Sequence, residues 1–130
     1  RVPDVHFVSE RVDDRRLLPL LHGGQHHVLL FDGAAATPEG YRNLTRIADS
    51  LSPLYGDRFV CHIIVPSLER PEALMDWNGS LVLDPRGELH RAFGARSECL
   101  YLIRPDGYVA FRSQPASGET LLDFLGQIFG

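Results

Sequence analysis

The sequence contains no lysine, because all 13 of its basic residues are arginine. Chemistry that needs a lysine amine, such as a Schiff base or a P-loop contact to phosphate, is therefore excluded. The formal net charge is −4, which argues against nucleic-acid binding because phosphate recognition needs clustered positive charge. No apolar run approaches the roughly 18 residues that cross a bilayer. We therefore predict contact with neither nucleic acid nor membrane.

Cysteine is scarce, and its two copies lie far apart. Cys61 and Cys99 each sit inside an apolar, strand-like run. Two thiols at this distance do not make a disulfide framework, and burial in an apolar strand raises a thiol pKa and makes the group inert. The expected location is a reducing compartment, the cytoplasm. A thiol peroxidase or reductase that uses one of these cysteines stays open as an alternative.

Histidines and glycines form no recognisable ligand site. His22, His26 and His27 surround a short polar loop, but their spacing matches no zinc pattern. Gly23-Gly24 precedes a strand, whereas a dinucleotide-binding loop lies between a strand and a helix. His90, on a short helix, is expected at the surface or as a packing residue. We therefore predict no catalytic, cofactor-binding or metal-ligating residue in this chain.

A length of 130 residues with 44% hydrophobic content fits one domain with its own core. The chain opens with Arg1 directly into a patterned segment. This opening indicates a processed chain or a part of a longer protein.

Strand and helix patterns alternate along most of the chain. Thr37, Pro38 and Glu39 are typical of a helix start, and Ser52-Pro53 predicts its end. Ser117 predicts the cap of the last helix. The predicted strands are 1–8 (extended), 27–32, 59–65 and 80–84; the helices are a turn at 17–21, 38–51, a short one within 71–77, 88–93 closed by Gly94, and a last one whose apolar face is Leu121, Leu122, Leu125, Ile128 and Phe129. An α/β fold follows, with a mixed sheet and helices on both faces.

A β-hairpin near the C-terminus is the clearest local prediction. Residues 100–103 form an apolar strand, and Arg104-Pro105-Asp106-Gly107 is a strong turn signal in which Gly107 can take a positive φ. In the return strand, 108–112, alternation places Val109 and Phe111 on one side and Ala110 on the other. The turn residues are interpreted as turn chemistry rather than as a functional motif.

Three segments, residues 1–5, 83–95 and 100–112, resemble the C-terminal domain of FAD-dependent aromatic-ring hydroxylases, the phenol-hydroxylase-like and polyketide-hydroxylase monooxygenases. The likeness covers essentially the whole chain, and the last segment is its most specific part. The order of elements after His27 is that of a thioredoxin-like fold. Residues 83–95 are similar to an insert of peroxiredoxin-like relatives.

This resemblance implies a scaffold without its redox chemistry. Thioredoxins carry Cys-x-x-Cys where the long helix begins, and here residues 33–38 contain no sulfur; where they place a cis-proline, this chain has Arg96-Ser97-Glu98. In the hydroxylases, FAD and the phenolic substrate are held by two preceding domains, with NAD(P)H and O₂ as co-substrates. The resemblance therefore implies a non-catalytic C-terminal domain that binds no cofactor itself and serves packing, stability or homodimer contacts. A free-standing interaction domain is the remaining alternative.

Overall fold

The computed structural model describes residues 8–9, 24–33, 36–55, 58–106 and 108–129, and not the side chains of Val8, Ser9, Ser52 and Phe129. The predictions for residues 1–7 and 17–21, for His22 and for the φ of Gly107 lie outside the described residues. The described elements are β1 (Val8–Ser9), β2 (His26–Gly33), α1 (Pro38–Tyr55), β3 (Phe59–Val65), a 3₁₀ turn (Glu72–Leu74), β4 (Ser80–Leu83), α2 (Glu88–Ala92), β5 (Ser97–Ile103), β6 (Val109–Ser113) and α3 (Gly118–Phe129).

Six strands form one mixed sheet in the order β1-β4-β3-β2-β5-β6. Strands β2, β3 and β4 run parallel to one another, whereas β1 pairs antiparallel with β4, β5 with β2, and β6 with β5. The end of the sheet at which Gly33, Val65 and Leu83 finish the parallel strands is called the carboxyl end below. This arrangement confirms the predicted mixed sheet with a C-terminal hairpin.

Each face of the sheet carries its own apolar core, and helices cover both faces as predicted. The first face packs against α1 and α3, through buried residues such as Leu44, Ile47 and Leu121. The second face packs against α2 through Leu89 and through Phe93, which follows that helix. Of the described helices, none has the length and apolar content needed to cross a bilayer.

Helix α1 begins as predicted but ends later. The Thr37 hydroxyl accepts a hydrogen bond from the Gly40 N–H at 3.0 Å, which is the expected cap. The prediction that Ser52-Pro53 ends the helix is wrong, because α1 continues through Pro53 to Tyr55. A proline at position 53 removes only one N–H donor from the helix, and the loss of one hydrogen bond near the end does not prevent a last turn. Tyr55 packs edge-on against Phe59, with ring centroids 5.3 Å apart, and this contact supports that turn.

Helix α3 is capped by Ser117, whose hydroxyl accepts a hydrogen bond from the Thr120 N–H at 3.2 Å. Leu121 and Leu125 are fully buried, as predicted. Ile128, predicted on the same face, is 53% exposed. Ile128 is exposed because it lies in the last turn of the helix, where it lines a surface depression and is not part of the first-face core.

The hairpin of β5 and β6 contains a β-bulge. Leu102 lies opposite Phe111, and Ile103 lies opposite Val109, so Ala110 is the extra residue. Ala110 and Phe111 therefore both pack against the first-face core, whereas Val109 lies opposite a residue of the second face. The prediction that Val109 and Phe111 share one side is wrong for this reason.

Candidate functional site

The start of α1, at the carboxyl end of the sheet, is the place where a fold of this type would carry its reactive group. Asp32 ends the apolar part of β2, and its Oδ2 accepts a hydrogen bond from the Thr37 N–H at 2.7 Å. Together with the Thr37 hydroxyl, this carboxylate satisfies two N–H groups at the helix start. Burial raises the pKa of Asp32, and the hydrogen bond from Thr37 offsets part of that rise.

Two neighbours fix the position of the Asp32 carboxylate. A Cβ added at Gly40 would overlap the carboxylate, so glycine provides the space that the acid occupies. Tyr41, the residue after Gly40 in the helix, is buried. Burial and the charge of Asp32 raise the pKa of Tyr41 to about 12, which keeps its phenol protonated. The start of α1 therefore holds the Asp32 carboxylate beside the neutral Tyr41 phenol, and it holds no thiol.

An open cleft of about 560 Å³ lies beside this helix start. Its lining residues are Ala36, Tyr41, Pro66, Ser67, Leu68, Glu69 and Pro71. Leu68 is 78% exposed on the loop that follows β3. The surface offered here is mainly apolar, with one carboxylate at Glu69.

Both thiols lie in strands, outside the lining of this cleft. Cys61 packs on the first face, where burial and then the charge of Asp49 raise its pKa to about 12. Cys99 is buried on the second face. Burial raises the pKa of Cys99 to about 11, although Arg112 acts in the opposite direction. Because the two thiols are on opposite faces, the sheet separates them and they cannot pair. Both thiols lie in strands, as predicted from the sequence, but Cys61 is only partly buried whereas Cys99 is buried.

Buried polar groups cross the second face in a row. His27 Nδ1 lies 2.9 Å from His62 Nε2, and His62 Nδ1 lies 2.7 Å from the Ser80 hydroxyl. The three side chains come from neighbouring strands, and all are nearly fully buried. Sequence analysis did not find this row, because its members are up to 53 positions apart.

A possible metal site at the histidines gains no support among the described residues, in which no group of three potential ligands is close enough to hold an ion. His26 and His27 are neighbours on β2, so their side chains lie on opposite faces. His26 packs against Phe59 with ring centroids 5.4 Å apart. Burial and the charge of Arg104 lower the pKa of His26.

Asp84 and His90 form a second buried polar pair that the sequence did not reveal. Asp84 Oδ2 accepts from His90 Nδ1 at 2.7 Å and from the His90 N–H at 3.0 Å, and Oδ1 accepts from the Leu89 N–H at 3.2 Å. Burial favours a raised pKa, but these hydrogen bonds and the charge of His90 outweigh it and lower the pKa of Asp84. His90 is only 6% exposed, so it is a packing residue and the surface alternative is wrong. The one sequence feature that could have indicated this pair is the position of an acid, Asp84, shortly before the short helix that carries His90.

Comparisons with known proteins agree with this architecture. The sequence model of the family described as "aromatic-ring hydroxylase, C-terminal" matches residues 1–130. No match was found among curated protein sequences.

Several solved structures have a fold similar to that of this chain. A bacterioferritin comigratory protein from Xanthomonas campestris, with alkyl peroxide reduction activity, has a TM-score of 0.74 and 15% identity over 98% of this chain and 94% of its own. A thiol-disulfide oxidoreductase from Bacteroides fragilis has a TM-score of 0.71 and 17% identity, with 98% of each chain covered. A thiol peroxidase from Chromobacterium violaceum has a TM-score of 0.74 and 12% identity over 98% of this chain and 85% of its own. The fold is thioredoxin-like, as predicted.

Proposed function

Because the chain belongs to the aromatic-ring hydroxylase C-terminal domain family, we propose that it is the redox-inactive C-terminal domain of an FAD-dependent aromatic hydroxylase. Membership implies a parent enzyme of several domains. In that parent, the flavin and the aromatic substrate are bound by the preceding domains, and the reaction consumes NAD(P)H and O₂ in the cytoplasm. The present domain contributes packing, stability or dimer contacts.

The observation that carries this proposal is the position of the two thiols. Both lie in strands, with pKa values raised to about 12 for Cys61 and about 11 for Cys99. At pH 7 fewer than about one thiol in a thousand is then a thiolate, the form that attacks peroxides and disulfides. The start of α1 offers a carboxylate in place of sulfur.

The start of α1 does not fit the pyrophosphate of a flavin dinucleotide. A dinucleotide pyrophosphate binds at a helix start whose N–H groups are free and approached through a glycine-rich turn. At α1 two of those groups, the N–H of Thr37 and the N–H of Gly40, are hydrogen bonded to Asp32 and Thr37, and the Asp32 carboxylate would repel a phosphate. We therefore assign FAD to the preceding domains.

Thiol labelling and flavin titration of the purified chain test this proposal. Iodoacetamide at pH 7 should label Cys61 and Cys99 slowly until denaturant is added, and FAD should not bind. Fast labelling of the folded chain at pH 6–7 would instead support a thiol peroxidase or reductase. The coding sequence upstream of Arg1 separates the remaining readings, because a Gly-x-Gly-x-x-Gly strand-to-helix motif supports the hydroxylase parent, whereas an immediate start codon supports a free-standing interaction domain.

A further inference from the structure

We propose that the cleft beside the start of α1 is the surface on which the flavin-containing part of the parent hydroxylase docks. The proposal rests on the proposed function, since it requires that parent. The occupant is an apolar segment of the polypeptide that precedes this domain. The direction of β1, the form of the cleft and its charge carry the argument.

The direction of β1 places the preceding polypeptide at the same end of the sheet as the cleft. Val8 lies opposite Leu83 and Ser9 opposite Val82, in an antiparallel pair. The chain therefore reaches Val8 from the carboxyl end. This direction favours contact between the cleft, which lies at the same end of the sheet, and the part of the parent enzyme that precedes β1.

The loop that carries Leu68 is held in place by its own hydrogen bonds. The Ser67 hydroxyl donates to the Glu69 carbonyl at 2.8 Å. The Arg70 guanidinium donates to the carbonyls of Leu74 at 2.6 Å and Trp77 at 2.9 Å. Leu68 is nevertheless 78% exposed. A single exposed leucine is ordinary, but one presented by a fixed loop at the rim of a cleft is a preorganised anchor for a partner.

The negative charge around the cleft indicates which kind of partner segment can bind there. Asp32 already fills the helix start, and Glu69 and the exposed Glu39 lie at the same end. An anionic ligand is therefore disfavoured. Apart from Glu69, Ser67 and the Tyr41 phenol, the cleft is lined by alanine, leucine and proline side chains. The occupant that fits is an apolar segment with basic flanks.

The chain offers a matched control at its other end. Leu54 is 64% exposed in the last turn of α1. Because α1 connects the parallel strands β2 and β3, its last turn lies at the end of the sheet opposite to the cleft. Leu54 should stay exposed in the parent enzyme, where Leu68 is covered.

Cysteine accessibility in the full parent enzyme tests the docking. Variants Leu68→Cys and Leu54→Cys are pulsed with a maleimide, and labelling of each peptide is followed by mass spectrometry, with the rate in concentrated urea as the reference. We expect Leu68→Cys to be labelled at least about tenfold more slowly than Leu54→Cys in the folded parent, because covered sites react only through rare openings. The two variants should react equally in urea.

Equal rates in the folded parent would overturn the docking surface, and so would protection of Leu54→Cys. Protection of Leu68→Cys that disappears on dilution to the monomer would assign the cleft to a second copy and also overturn it. The proposed function is tested separately by flavin absorbance. A parent that binds FAD but labels both sites equally refutes the docking alone, whereas a gene that encodes no flavin-binding part refutes the proposed function itself.

Discussion

Gly40 and Asp32 meet at the start of α1, and their fit depends on the missing Cβ of glycine. In an open helix position, Gly→Ala stabilises by up to about 1 kcal/mol. At Gly40 the added methyl group would overlap the Asp32 carboxylate, displace it and break its bond to the Thr37 N–H. We therefore expect Gly40→Ala to lower the free energy of unfolding by about 1–2 kcal/mol, measured by urea denaturation.

Gly126 in α3 is the matched control for this prediction. A Cβ at Gly126 would meet nothing within 4 Å, so Gly126→Ala should stabilise by up to about 1 kcal/mol. In an Asp32→Ala background, the loss caused by Gly40→Ala should disappear. A persistent loss in that background would show that the carboxylate is not the cause.

Asp84 makes stability dependent on pH in a direction set by its lowered pKa. A carboxylate whose pKa is lower in the folded chain stabilises above its unfolded pKa, about 3.9, and this contribution is lost as pH falls through the folded value. Asp84→Asn should therefore lower the free energy of unfolding by about 2–4 kcal/mol at pH 7, because the buried His90 loses its charged partner. The difference from the native chain should shrink below about pH 4.

Asp106 provides the comparison for Asp84. It pairs with Arg104 at the exposed hairpin turn, where ion pairs contribute little. The free energy of unfolding of Asp106→Asn at pH 7 should match that of the native chain within about 0.5 kcal/mol. A pH-independent effect of Asp84→Asn would contradict the role assigned to its charge.

At the scale of elements, the sequence pattern predicted the features that depend on residues close together in the chain, namely strand bounds and helix caps. The strand 59–65 was predicted with its observed bounds, and the caps of α1 and α3 were identified from Thr37 and Ser117. The bulge at Ala110 was not predicted, because it arises from the register between two strands and not from either strand alone. Pro53 misled for a similar reason, since the turn after it depends on Tyr55 packing against a later strand.

For the candidate site, the sequence predicted which groups are missing from the start of α1 but not which groups are there. Sequence alone excluded sulfur at the start of α1 and assigned both thiols to strands. The hydrogen bond from the Thr37 N–H to Asp32 was not predicted, because it depends on how the end of β2 is placed relative to the start of α1. The row of His27, His62 and Ser80 depends on which strands are neighbours in the sheet, whereas Asp84 and His90 are six positions apart and meet across the local turn into α2. Strand order is a tertiary property that local pattern does not encode.

At the scale of the whole molecule, similarity of fold does not establish similarity of function. The three similar solved structures named above share less than 20% identity with this chain, and a shared fold does not carry chemistry with it. A thiolate in such a scaffold is stabilised by free N–H groups at a helix start. In this chain the Asp32 carboxylate accepts a hydrogen bond at that helix start, so the redox-inactive role proposed above rests on a carboxylate at this position as well as on the missing sulfur.

Introducing the sulfur alone should therefore not restore reactivity. We expect the thiol of Thr37→Cys to keep an ordinary pKa near 8.5 or above, because the Asp32 carboxylate opposes ionisation. Adding Asp32→Asn should lower that thiol pKa by about one unit or more and speed iodoacetamide labelling at pH 6 about tenfold. Ser117→Cys, at the cap of α3, is the control whose labelling should not respond to Asp32→Asn. Fast labelling of Thr37→Cys with Asp32 intact would mean that the carboxylate does not suppress thiol chemistry here, and that the missing cysteine is a sufficient explanation.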